Sequence, residues 1–129
     1  MPMIAVDVVR GRSREEVRTL LDTVHEAMVE AFGVPATDRY QVLTQHEADE
    51  LVVLDTDLGF ERTDDLVVIR VISRERTPEA KQEFYRLLAE RLKERCGVAA
   101  SDLVVALTEN GPADWSFGGG VAQFVTGDL

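Results

Sequence analysis

A chain of 129 residues, 45% hydrophobic and 29% charged, is long enough for one sizeable core and too short for two independent ones, so a single domain over 1–129 is expected. The formal net charge of −10 argues against a nucleic-acid surface, which requires clustered positive charge. No apolar run reaches bilayer length, the first residues lack the order of a secretory signal, and the single Cys96 excludes an intrachain disulfide, so a cytoplasmic protein without membrane contact is expected.

Residues 2–9 are apolar and rich in β-branched side chains, as in a buried strand. Ser13 with Glu16 three residues on predicts a capping box, and a helix follows with Val17, Leu20, Leu21, Val24, Met28 and Phe32 on one face. Gly33 suits the left-handed residue that ends it. A short strand is predicted at 40–45, then a polar connection over 47–63 with one apolar patch at 51–54. Residues 66–73 again read as a buried strand. Thr77 followed by Pro78 predicts an N-cap with proline at the first helical position, and Phe84, Leu87, Leu88, Leu92 and Cys96 form one face of the helix that Gly97 ends. A strand at 103–108 follows, and 110–129 reads as loop around Gly118-Gly119-Gly120, which lacks the strand-turn-helix context of a phosphate loop.

The two halves, about 1–63 and 64–129, superpose at an offset of 64 residues without a gap. Arg10-Gly11-Arg12-Ser13 falls on Arg74-Glu75-Arg76-Thr77, and Gly33 to Asp38 falls on Gly97 to Asp102. Coincident helix starts and stops mark an internal duplication. Two fused βαβ units predict an α/β (α+β) fold: a four-stranded sheet with both helices on one face. The other face would be apolar and uncovered, which predicts an oligomer.

An approximate dyad between the halves would run their first strands antiparallel. The end of strand 66–73 then lies beside the start of strand 2–9, bringing Arg74 and Arg76 to the edge that holds Pro2 and Asp38. Residues two apart in extended chain point the same way, so both guanidinium groups can address one site, and their flat donor forks match a carboxylate. The opposite edge has Arg10, Arg12 and Asp102, but an internal peptide at Leu66. Removal of Met1 would make Pro2 a secondary amine able to exchange a proton or attack a carbonyl, whereas a proline merely tolerated at a strand start would have no chemical role. A retained Met1 is expected to crowd the space between Asp38, Arg74 and Arg76. His25 reads as a boundary residue of the first helix, Cys96 as a small hydrophobe, and His46 has no partner at ligand spacing, which argues against a metal.

Pro2 after Met1, the fused halves and the chain length together resemble the tautomerase superfamily. Within it the likeness to the malonate semialdehyde decarboxylases runs over essentially the whole chain. It is carried by Phe32-Gly33-Val34-Pro35 leading into Thr37-Asp38-Arg39-Tyr40-Gln41, by Val71-Ile72-Ser73-Arg74 with Arg76, by Asp114-Trp115-Ser116-Phe117-Gly118 and by Thr126-Gly127-Asp128-Leu129. The resemblance implies a catalytic set of Pro2, Asp38, Arg74 and Arg76, with the arginines holding substrate. It also implies an apolar wall of Trp115, Phe117, Phe124 and Leu129, although Trp115 and Phe117 read equally well as core or interface filler. A homotrimer with neither metal nor organic cofactor follows from the same resemblance. The implied reaction is loss of CO2 from malonate semialdehyde to give acetaldehyde. Two rivals stay open: a tautomerase or hydratase of 2-oxo or unsaturated acids on this scaffold, and a non-catalytic oligomeric binding protein.

Overall fold

The computed structural model describes residues 2–129; Met1, and the expectation that its side chain crowds the arginines, lies outside the described residues. The chain runs β1 (Met3–Val9), α1 (Arg14–Phe32), β2 (Tyr40–His46), β3 (Val67–Arg74), α2 (Pro78–Cys96), β4 (Leu103–Asn110) and a short α3 (Gln123–Thr126). The capping signals act where the sequence puts them. The Ser13 hydroxyl accepts from the Glu16 N–H while the Glu16 carboxylate accepts from the Ser13 N–H, and the Thr77 hydroxyl accepts from the Ala80 N–H. Both long helices end on glycines in the left-handed region, Gly33 at φ 64° and Gly97 at φ 67°, where a side chain would be strained.

The strands lie in the order β2-β1-β3-β4. Pairing is parallel within each half and antiparallel where the halves meet, with Met3 opposite Ile72 and Val8 opposite Val67. Alternation along the strands sends Ile4, Val6, Val8, Val67, Ile69 and Val71 toward the helices, where they pack with Leu20, Val24, Met28, Phe84, Leu88 and Leu92. Burying each such side chain contributes about 1.5–3 kcal/mol, and that burial holds both helices to one face.

The opposite face is less uniformly apolar than the sequence predicts. Met3, Val42 and Ile72 are exposed there, at 41%, 60% and 43%. Among them Asp7 is buried, accepting hydrogen bonds from His46 Nε2 at 2.7 Å and Arg70 Nη2 at 2.9 Å. Burial raises the Asp7 carboxyl, but these two partners outweigh it and hold the group below its ordinary value.

Three further expectations are revised. His25 is buried rather than at a boundary, and its ring Nε2 meets the Ala36 carbonyl at 2.6 Å, fastening the loop that leads to Asp38 onto α1. Strands β2 and β4 extend to His46 and Asn110 because their ladders continue. The tail is not wholly loop: Gln123 braces it by accepting from the Phe117 N–H and donating to the Gly118 carbonyl, and Gly127 caps the α3 turn.

Candidate active site

The antiparallel β1/β3 seam builds the site. Met3 lies opposite Tyr40 on one side and Ile72 on the other, so one step earlier the buried Pro2 comes beside Arg39 and Ser73. Asp38 precedes Arg39 in a turn closed by its own N–H bonding to the Pro35 carbonyl at 3.0 Å, and Arg74 follows Ser73. A cleft of about 570 Å³ opens at this edge. Its walls include Phe32, Pro35, Asp38, Arg74, Arg76 and Phe124, with Asn110 closing the far side.

Each arginine is steered by aromatic and neutral groups. The Arg74 guanidinium lies 4.5 Å from the centre of the Phe124 ring, and that of Arg76 lies 5.1 Å from the centre of Phe32. Arg76 Nε donates to the Ser73 hydroxyl at 3.1 Å, and its backbone N–H donates to Glu109 at 2.8 Å. Neither guanidinium forms an ion pair with a carboxylate among the described residues. Burial first, then the like charge of Arg74, lowers the hold of Arg76 on its proton, while Asp38 acts in the opposite sense. An arginine remains protonated under such a shift, so the cleft carries two cationic donor forks together with the carboxyl groups of Asp38 and Glu75.

The tail contributes its aromatic residues in depth. Phe124 lines the cleft, Phe117 meets it edge-on at 5.5 Å, and Trp115 stacks on Phe117 at 5.2 Å. Trp115 and Phe117 thus stand behind the wall rather than in it, and Leu129 is 58% exposed outside the cleft.

The duplicated edge differs in kind. Asp102, the counterpart of Asp38, is 2% exposed and accepts from both the backbone N–H and the hydroxyl of Thr63. Arg10 pairs with Glu47 at 3.1 Å, and Arg12 donates to the Asp65 carbonyl at 2.8 Å. Segment 47–65 supplies all of these partners. It turns one of two equivalent edges into a structural joint.

A family profile described as Tautomerase enzyme matches residues 38–118, and a second of the same description matches residues 2–61. Two proteins of Bacillus subtilis (strain 168), probable tautomerase YrdN and probable tautomerase YusQ, are 51% and 36% identical to the chain. The first alignment covers all of both chains, and the second covers 97% of this chain and 99% of the relative. The chain belongs to the tautomerase superfamily.

Among solved tautomerase-superfamily structures, a malonate semialdehyde decarboxylase described in terms of decarboxylase and hydratase activities is 50% identical, with a TM-score of 0.95 over 98% of each chain. The FG41 malonate semialdehyde decarboxylase inhibited by 3-bromopropiolate is 45% identical, with a TM-score of 0.93 over 98% of this chain and 97% of that one. A fused 4-OT solved as an asymmetric trimer is 25% identical, with a TM-score of 0.77 over 96% of this chain and 98% of that one. No helix among the described residues is long and apolar enough to cross a membrane, and none of their His, Cys, Asp and Glu side chains cluster in threes suited to a metal ion.

Sequence reasoning overlooked Phe32 as a platform for Arg76, reading it only as a core residue. It also overlooked Ser73, Glu109 and Asn110. The offset that pairs the two halves carries the strand predicted at 40–45 onto 104–109 and could have extended β4 to Glu109; only the observed ladders, with β2 running to His46, take it on to Asn110. Cys96, the counterpart of Phe32, is half-buried and its thiol is raised by desolvation, as suits a packing residue more than a nucleophile.

Proposed function

We propose that this tautomerase-superfamily protein decarboxylates malonate semialdehyde, releasing acetaldehyde and CO2, with Pro2 as its acid after removal of Met1. The observation that carries this reading is the pair of guanidinium groups, Arg74 and Arg76, that share a cleft with Asp38 and carry no carboxylate partner among the described residues. The 50% identity to a malonate semialdehyde decarboxylase supports it.

In this mechanism Arg74 and Arg76 hold the substrate carboxylate with its C–C bond perpendicular to the carbonyl plane. The bond between the carboxylate carbon and C2 breaks, CO2 leaves, and its electrons form the C2–C3 double bond as the carbonyl oxygen takes a proton from cationic Pro2. The enol then takes a proton from solvent at C2 and returns its hydroxyl proton to Pro2, giving acetaldehyde and restoring the cationic amine. A tight grip on the carboxylate alone would stabilise the ground state, so the arginines act through orientation, and the Phe124 wall favours the less charged products. Asp38 maintains the positive charge on Pro2, while the arginines oppose it. The chain itself supplies the acid and the clamp, and it works as a trimer, as the fused 4-OT relative is found.

The test is direct. Protein with its amino terminus confirmed by mass is incubated with malonate semialdehyde, and acetaldehyde is measured. A second reading, favoured by the 51% identity to a probable tautomerase, is proton transfer on the enol form of a 2-oxo acid. Acetaldehyde release supports the first; ketonisation of the enol without acetaldehyde supports the second.

A further inference from the structure

We infer that Asn110 is a positioning residue for Arg74, acting through the tail that it anchors; the inference rests on the reading of the cleft as a carboxylate site. The indole N–H of Trp115 donates to Asn110 Oδ1 at 2.7 Å. An indole N–H can only donate, so the orientation of the Asn110 amide is fixed: its oxygen is committed to Trp115. Trp115 is 6% exposed, and no other acceptor for its N–H is found among the described residues. Losing this bond leaves a buried donor unsatisfied.

The bond begins a chain of contacts that ends on Arg74. Trp115 stacks on Phe117 at an interplanar angle of 13°, Phe117 meets Phe124 at 82°, and the face of Phe124 carries the Arg74 guanidinium. The circuit closes through the sheet, since Asn110 and Arg74 are register partners on β4 and β3. A turn beside the anchor, in which the Gly111 N–H donates to the Asp114 carboxylate at 2.7 Å, sets the path of the chain from Asn110 to Trp115. Arg74 has no ion pair among the described residues to hold it, so its placement before substrate arrives depends on Phe124. An arginine held in its binding geometry loses less side-chain freedom when it takes up a carboxylate.

The test uses malonate, a stable dicarboxylate, as probe, with binding followed by calorimetry and turnover of malonate semialdehyde measured in parallel. Asn110→Leu should weaken malonate binding and lower kcat/KM by about 10- to 100-fold, the scale expected for a misplaced positioning group. Trp115→Phe removes the same bond from the other side while keeping an aromatic stack, and should produce a loss in the same direction even if Asn110→Leu folds poorly. Asn110→Leu combined with Arg74→Ala should bind malonate no worse than Arg74→Ala alone. A purely structural role would not give that non-additivity. Trp115 is the chain's only tryptophan, so its emission reports the state of the tail in the Asn110 variant. Wild-type-like binding in both single variants, or losses that multiply in the double variant, would overturn the inference. Malonate binding without turnover in the wild type would remove the decarboxylase reading and leave the positioning role standing; neither malonate binding nor turnover in the wild type would remove both.

Discussion

Thr63 donates twice to Asp102, its backbone N–H at 2.7 Å to one carboxylate oxygen and its hydroxyl to the other. This joint occupies the edge that the duplication makes equivalent to the Pro2 edge. Arg10 and Arg12 are engaged by the same segment, through the Glu47 carboxylate and the Asp65 carbonyl.

The two arginine pairs should therefore respond differently to mutation. Arg74→Ala or Arg76→Ala should impair carboxylate binding and turnover by ~2–5 kcal/mol while leaving the fold intact. Arg10→Ala, whose partner Glu47 is exposed, should change stability by less than about 1 kcal/mol and leave turnover near wild type. Arg12→Ala should likewise spare turnover. Equal kinetic losses at both pairs would defeat the assignment of the site to one edge.

Processing of the amino terminus gives a second prediction. With Met1 attached, the Pro2 nitrogen is a tertiary amide with no proton to give and no available lone pair. The Met1-retaining form is expected to bind malonate, to melt close to the processed form and to be nearly inert. Both forms can be verified by mass and compared on one 3-oxo acid, and equal turnover would exclude Pro2 as the acid.

Assembly is the third prediction. The sheet face opposite the helices exposes Met3, Val42 and Ile72, and burying these in a trimer would remove exposed apolar side chains from water on that face. Sedimentation of the wild type at micromolar concentration should give the trimer mass. Val42→Asp, at a site 60% exposed in the single chain, should yield smaller species with the helical content retained. A stable wild-type monomer would contradict this.

Asp7 supplies a pH-dependent prediction. Burial pushes its carboxyl up, yet the hydrogen bonds from His46 and Arg70 bring it below the ordinary value near 3.8. A carboxyl depressed in the folded state stabilises fully above its unfolded value and loses that contribution as pH falls through the folded one. Wild-type stability should therefore decline on acidification through and below the ordinary carboxylate range. Asp7→Asn should be less stable near neutrality, by about 1–3 kcal/mol, with a shallower decline in acid. Denaturant titrations of both proteins between pH 7 and pH 3, at one protein concentration, check the difference; parallel curves would assign the acid sensitivity to other groups.

The duplication, the helix limits and the buried strands were legible in the sequence because their signals act over a few residues. Ser13 and Glu16 cap a helix wherever it lies, Gly33 and Gly97 end helices by their own backbone freedom, and the two apolar strands can be stable only when covered. The meeting of Asp38, Arg74 and Arg76 followed from the repeat, since an internal dyad fixes which strand ends adjoin. The tertiary structure alone decided which edge stays open. Thr63 reaches Asp102 across 39 residues, Asp7 draws Arg70 across 63, and Asn110 takes the Trp115 indole because β4 runs on to that point. These contacts depend on sheet register and on the path of long connections, which no short stretch of sequence encodes.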